Sequence, residues 1–279
     1  MKCFFHRNDL DGICSGAITR RKYPNCKMID FDYGENYPFN TLDPKELTII
    51  VDLCLPQSVM IDFVKNDAKV VWIDHHHYAI EDSIQHGYDK IRGLRKSGVG
   101  ACELAWQYFF EAPIPESVLL LSQYDVWNHA NRNVVPFQYG AASLGLSVYS
   151  NVWKKIFDDS MINYLVQLGL PISKYVKNSA SAMLKRTVYH GIFEGYNTIF
   201  INSCILDSVF YTHLSSADLF NTDIIISYYR KQNGEYYVSL RSHKDTADVG
   251  AIAVKHGGGG HKSAAGFYLS RASVLTLCN

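Results

Sequence analysis

Lys69-Val70-Val71-Trp72-Ile73-Asp74-His75-His76-His77 sets an apolar run directly against one carboxylate and three imidazoles. A continuous apolar run of this length fits a parallel strand covered on both faces. The same design occurs twice upstream. Leu47–Val51 is apolar except for one threonine and ends in Asp52, and Lys2–Phe5 runs into His6-Arg7-Asn8-Asp9-Leu10-Asp11-Gly12. Helical spacing over Gly12–Arg20 and Ser58–Val64 alternates with these strands, and Ala101–Phe110 and Ser117–Gln123 read as further helices. Strands alternating with helices predict an α/β domain over residues 1–150, doubly wound about a mainly parallel sheet.

Beyond it the pattern changes. Trp153, Phe157, Met161, Tyr164, Leu165 and Leu168 form one helical stripe, which Gly169 and Pro171 are expected to interrupt. Ile172, Tyr175, Val176, Ala180 and Met183 resume it until Gly191. Residues 151–192 thus read as a helical connector. A smaller C-terminal α/β domain follows over 193–279, with strands at Thr198–Ile201, Asp223–Tyr229, Tyr236–Arg241 and Phe267–Leu269 and a helix at Asp248–His256.

The composition narrows the function classes. Apolar residues make up 47% and charged residues 19%, a globular balance. Lys plus Arg equals Asp plus Glu at 27 each, which argues against a broad basic surface for long duplex nucleic acid. Seven scattered cysteines form no C-x-x-C pair, fitting neither a disulfide framework nor a zinc ribbon and suiting a reducing cytoplasm. The first residues turn polar too early for a signal peptide, and no apolar run approaches the roughly 18 residues of a membrane helix.

In open parallel sheets, ligands bind outside the carboxyl ends of the strands. His6, Asp9, Asp11, Asp52, Asp74, His75 and His76 all fall at such ends, and Asp125 follows an apolar helix. Taken singly, Asp9 and Asp11 also fit a helix cap, Asp52 and Asp125 fit turns, and His6 fits a satisfied core histidine. Together they place several carboxylates in one crevice, where repulsion raises their pKa values unless a cation neutralises them. Mixed oxygen and imidazole donors suit manganese, and two ions roughly 3.5–4 Å apart form a clamp for phosphoryl chemistry.

Gly257-Gly258-Gly259-Gly260-His261 has two readings, a flexible linker or a phosphate cradle. So little chain follows the run that the cradle is favoured. Arg241 lies on the strand face opposite Val238 and Leu240, as a solvated arginine or a bidentate phosphate ligand. Tyr228, Tyr229, Tyr236 and Tyr237 fit base stacking or hairpin packing.

At these residues the sequence resembles the DHH phosphoesterase superfamily. Asp74-His75-His76 matches the motif that names it, His6, Asp9 and Asp11 its first motif, Asp52 its second and Asp125 its fourth. Gly257–His261 with Ala264-Ala265-Gly266 resembles the glycine-rich signature of the associated C-terminal domain. The resemblance implies two manganese ions, with magnesium or cobalt as alternatives. One would be held by His6, Asp9 and Asp52, the other by Asp11, Asp52, His75 and Asp125. It implies that Asp74 orients a ligand and that His76 serves as donor or general acid. Gly258, Gly259, Gly260, His261 and Arg241 would bind a distal phosphate or nucleotide. The expected activity is stepwise hydrolysis of short oligonucleotides or small nucleotides, in the manner of an oligoribonuclease or exonuclease. Alternatives are a phosphohydrolase for pAp, cyclic dinucleotides or polyphosphate, and a nucleotide sensor without catalysis. Neither membrane nor long duplex is an expected partner, and a homodimer is left open.

Overall fold

The computed structural model describes residues 1–33, 35–203, 211, 214–243 and 246–270. Cys204 and Cys278 lie outside the described residues. The chain divides into two compact units, 1–173 and 174–279.

The first unit is built on four parallel strands, β1 (Lys2–His6), β2 (Lys27–Phe31), β3 (Thr48–Val51) and β4 (Val70–Ile73), in the order β2-β1-β3-β4. Strands β3 and β4 are buried at every position. The period-2 pleat explains why. Cys3, Phe5, Ile49, Val51, Val71 and Ile73 point into one core with Ile18, Ala105 and Leu121. Phe4, Ile50 and Trp72 point into the other, with Met60 and Phe63. Helices α1 (Leu10–Lys22), α4 (Ala101–Phe109) and α5 (Glu116–Asp125) cover the first face, and α2 (Gln57–Lys65) covers the second; α3 is His77–His86. The expected α/β class and parallel sheet therefore hold.

Strand β2 was not read from the sequence, because its pattern of charged and apolar residues is that of a half-exposed edge. Residues 92–96 add a strand-like fringe along β4. Trp72 and Asp74 donate their N–H groups to the carbonyls of Arg92 and Leu94, and Lys96 N–H returns to Asp74 O. Gly93 is obligatory there: with φ of 146°, a Cβ would lie 1.8 Å from Trp72 O.

The expected break at Gly169 and Pro171 does not occur. After α6 (Val134–Ala142) and α7 (Trp153–Ile156), helix α8 runs from Ile162 to Thr187 through both residues. A proline removes one helical hydrogen bond but does not have to end a helix that packing holds. Gly169 is a contact glycine, since a Cβ there would meet Pro136 O at 1.8 Å. Gly140 mirrors it, with Leu165 O at 2.0 Å, so α6 and α8 cross backbone to backbone. Gly191 lies inside a strand instead of ending the helix.

The second unit is a six-stranded mixed sheet. Its strands are β5 (Val188–Phe193), β6 (Tyr196–Asn202), β7 (Ile224–Arg230), β8 (Tyr236–Ser242), β9 (Gly259–Gly260) and β10 (Ala264–Leu269), in the order β5-β6-β7-β8-β10-β9. Among the described residues β6 and β7 pair in parallel and the other neighbours pair antiparallel. A short α9 (Ser216–Leu219) precedes β7, and α10 (Val249–Lys255) packs Val249, Ile252 and Ala253 on Val238, Leu240 and Phe267. Tyr237 sits between Tyr229, its partner in the β7–β8 hairpin, and Tyr268 on β10, and the Tyr228 hydroxyl meets that of Tyr189 on β5.

The glycine run is ordered structure. Gly257, at φ of 80°, donates to Val254 O and Gly258 donates to Ala253 O, which caps α10 with its otherwise orphaned carbonyls satisfied. A Cβ on Gly258 would meet Gly266 O at 2.0 Å, and one on Gly260 would meet Ala265 Cα at 2.5 Å. Gly259 faces open space. Arg241 pairs across the sheet with Ala264, beside the turn His261–Ala264, and stacks its guanidinium over Tyr211 at 5.6 Å.

Candidate metal centre

Asp52 stands at the centre of the first unit's site. It follows β3 with φ of 59°, a left-handed conformation uncommon outside glycine and best tolerated by Asp and Asn. Its two oxygens face different imidazoles. Oδ1 lies 3.2 Å from His75 Nε2 and Oδ2 lies 3.5 Å from His6 Nδ1.

Two donor groups share this carboxylate. The first is His6, Asp9 and Asp52, with His6 Nδ1 2.8 Å from Asp9 Oδ2. Asp9 plays both roles read from its sequence position, since its Oδ1 caps α1 by accepting from Gly12 N–H at 2.8 Å. The second group is Asp11, Asp52 and His75. His75 Nε2 also lies 3.8 Å from Asp11 Oδ2 and 3.4 Å from Asp125 Oδ2. Asp11 is not a cap. It accepts from Ala101 N–H (2.6 Å) and Cys102 N–H (2.9 Å), so the N-terminus of α4 orients it.

Glycine permits the convergence. A Cβ on Gly12 would lie 2.2 Å from His6 O and 2.8 Å from Asp52 Oδ2. One on Gly100 would lie 2.7 Å from Ser122 Cα and 2.9 Å from Asp11 Oδ1.

The electrostatics are those of crowded carboxylates. Burial and the charge of Asp52 push Asp11 up to about 7, against the pull of His75 and Cys102. Burial and Asp11 raise Asp125 well above the carboxylate range. Burial disfavours the His75 cation, yet Asp52, Asp125 and Asp11 hold it well above its ordinary value. His6 is raised in the same way by Asp9, Asp32 and Asp52. Burial favours neutral Asp52, but the neighbouring His6 and His75 cations hold it below the usual range.

A divalent cation fits this set. His6 Nδ1 and Asp52 Oδ1 are buried and, despite close neighbours, make no aligned hydrogen bond. Buried donor atoms that converge without bonding are what a cation satisfies. The mixture of carboxylate oxygen and imidazole nitrogen suits manganese and related first-row ions.

Asp74 and His76 form a distinct pair. Asp74 Oδ1 accepts from His75 N–H (2.8 Å), His76 N–H (3.2 Å) and His76 Nδ1 (2.7 Å). Asp74 Oδ2 is buried without a hydrogen bond, in a donor group with Asp52 and His76. His77 turns away and pairs with Glu81 on the exposed side of α3 at 3.1 Å.

Two participants escaped the sequence reading. Asp32, just past β2, lies 3.5 Å from His6 Nε2 and accepts from Asn8 Nδ2 at 2.6 Å. Tyr33 holds its ring 6.1 Å from that of His6 and 6.2 Å from that of His76. Recognising β2 as a strand would have exposed Asp32, because it ends where the other ligands do.

The DHHA1 domain family matches residues 215–277, in the unit that follows this site. This match agrees with the resemblance of the site's motifs to the DHH phosphoesterase superfamily. The chain has relatives of diverse description. It is 24% identical over 272 residues to an uncharacterized protein of Acanthamoeba polyphaga mimivirus, covering 95% of this chain and 58% of that protein. The chain thus spans little more than half the length of this curated relative. Among solved structures it resembles a pGpG-specific phosphodiesterase from Vibrio cholerae, at 13% identity and a TM-score of 0.50, over 99% of this chain and 95% of that one. It also resembles an exopolyphosphatase-related protein from Bacteroides fragilis, at 14% identity and a TM-score of 0.51, over 99% and 89%. Identities this low speak for a shared fold alone.

Proposed function

We propose that this chain is a phosphoesterase of the DHH superfamily that hydrolyses phosphate esters of short oligonucleotides or small nucleotides with a pair of divalent metal ions, manganese first. The observation that carries the reading is Asp52, one carboxylate with an oxygen toward each of two donor groups. His6 and Asp9 complete one group; Asp11, His75 and Asp125 complete the other. When bound, such a metal pair neutralises phosphate charge and activates water as the nucleophile.

The chain's own residues do the rest. Asp52 and His75 follow the buried strands β3 and β4, and the α4 N-terminus holds Asp11. Asp74 accepts the Nδ1 proton of His76, so any proton His76 delivers to the leaving oxygen moves at Nε2. Arg241, Gly258, Gly259, Gly260 and His261 are assigned to the substrate's phosphate. Gly259 is the position with an open backbone, and Arg241 is set beside the His261–Ala264 turn.

The test is product analysis with manganese on labelled short RNA, short DNA, pAp, a cyclic dinucleotide and polyphosphate. An Asp74→Ala/His75→Ala variant runs alongside. Manganese-dependent turnover that the variant lacks supports the reading, and the preferred substrate names the role. Manganese binding without turnover on any substrate favours a sensor. Failure to bind manganese overturns the two-metal site.

A further inference from the structure

Helix α5 ends in an unusual residue for its position. Its last residue, Asp125, is the donor facing His75. Val126 caps the helix, Trp127 donates to Tyr124 O at 3.1 Å, and Asn128 donates to Gln123 O at 2.8 Å. This is the paired hydrogen-bond cap that closes helices with a left-handed residue, a place taken chiefly by glycine. Helices α3 and α10 follow that rule, with Gly87 at φ of 77° and Gly257 at 80°. In α5 the residue is Trp127, at φ of 62°. A bulky side chain in this conformation is strained, and such strain gathers at functional sites.

The ring that this strain sets in place is exposed and braced. Trp72, Trp106 and Trp153 are 0 to 4% exposed, whereas Trp127 is 44% exposed. Its ring lies 4.4 Å from that of His129, which in turn stacks on Tyr124 at 5.2 Å and 24°. The His129 ring thus links the indole, tilted against it by 48°, to Tyr124 in the last turn of α5. The Trp127 Cα lies no more than about 7.6 Å from that of Asp125, two trans peptide spans. An exposed, braced indole is thus attached two residues beyond the donor Asp125.

We propose that Trp127 is the stacking platform for a nucleobase of the substrate, and that it makes this site selective for base-bearing phosphate esters over base-free ones such as polyphosphate. The inference rests on the phosphoesterase reading and sharpens its substrate class. An indole offers a flat, polarisable face to any base, so the selectivity is for a base as such and not for its identity. Stacking of this kind changes binding by roughly tenfold when the ring is lost.

Trp127 is also its own reporter, as the exposed tryptophan of the four. The experiment titrates AMP, then inorganic phosphate, into the manganese-loaded full chain while following tryptophan fluorescence. AMP is expected to quench the emission and inorganic phosphate to leave it unchanged. In Trp127→Phe the AMP-dependent quench should vanish while AMP affinity, by calorimetry, stays within about threefold. In Trp127→Leu that affinity should fall about tenfold, and KM for the preferred oligonucleotide should rise about tenfold with kcat and manganese affinity retained. Equal quenching by AMP and phosphate, no quenching by either, or an unchanged AMP affinity in Trp127→Leu each overturns the proposal. The wild-type titration needs no turnover. A quench without hydrolysis would sink the phosphoesterase reading and keep the stacking site, and hydrolysis without a quench would do the reverse. If Trp127→Leu does not fold, the wild-type titration and Trp127→Phe still decide.

Discussion

Asp74 Oδ1 lies 2.7 Å from His76 Nδ1 and also accepts the backbone N–H groups of His75 and His76. One fully buried carboxylate oxygen thus fixes both the backbone turn after β4 and the tautomer of the imidazole that follows it. Asp74→Asn removes the charge and leaves the ring free to take the other tautomer. We expect kcat to fall about a hundredfold or more, the scale of a general acid, with a smaller loss of manganese affinity. His76→Ala should match it. His77→Ala is the control: His77 and Glu81 form an exposed pair, so activity and stability should stay near wild type, within about 0.5 kcal/mol. Steady-state kinetics and melting curves of the three variants separate these outcomes.

The protonation of the donor set predicts a pH dependence of metal binding. Asp11, pushed up to about 7 by burial and by Asp52, stabilises the metal-free fold in its protonated form. That contribution is complete below its unfolded value of 3.8 and is lost as pH climbs through about 7. His75 acts in the same direction, its contribution being full below 6.5 and lost at higher pH. A cation competes with these protons. Manganese affinity should therefore rise with pH, by about tenfold per unit for each proton displaced. The melting-temperature gain from manganese should be larger near pH 8 than near pH 6. Calorimetry and melting curves at the two pH values measure both, and a pH-independent gain would contradict this protonation scheme.

The parts of the fold legible in the sequence are those whose signal is local. Buried strands such as Val70–Ile73 announce themselves as apolar runs, and the ligands follow directly at their ends. The parts that were not legible depend on what an element meets in space. Pro171 reads as a break until α6 is seen holding the neighbouring turn through Gly140 and Gly169. The four glycines read as one loop, but two of them finish α10 and the next two form β9. Asp32 was hidden because β2, an edge strand with a mixed pattern, gives no apolar run to point at its end.

Asp32 gives a test of support from outside the ligand set. It approaches His6 Nε2, the nitrogen opposite the one facing Asp9 and Asp52. Such partners orient a ligand imidazole, and their loss costs about 10- to 100-fold in metal affinity. Asp32→Ala should weaken manganese binding on that scale while leaving the melting temperature of the metal-free protein nearly unchanged, since the side chain is partly exposed. A titration of the variant with manganese, read by calorimetry, checks it.

Gly12 sets the closest packing in the site, and its replacement should be more damaging than any single ligand change. A methyl group at this position would meet His6 O at 2.2 Å, His6 Cβ at 2.7 Å and Asp52 Oδ2 at 2.8 Å. The nearest of these is backbone, so no rotamer change relieves it. Helix α1 must move away from β1, and Asp9 and Asp11 move with it. We expect Gly12→Ala to destabilise the first unit by about 1–3 kcal/mol, the usual cost of overpacking. Manganese should no longer restore stability, because the donors on α1 no longer meet those on β3 and β4. Gly259→Ala, at a position with open space around its Cα, should leave the fold and manganese binding intact. Melting curves of both variants with and without manganese decide. A Gly12→Ala protein that still gains stability from manganese as wild type does would show that the two donor groups do not depend on this contact.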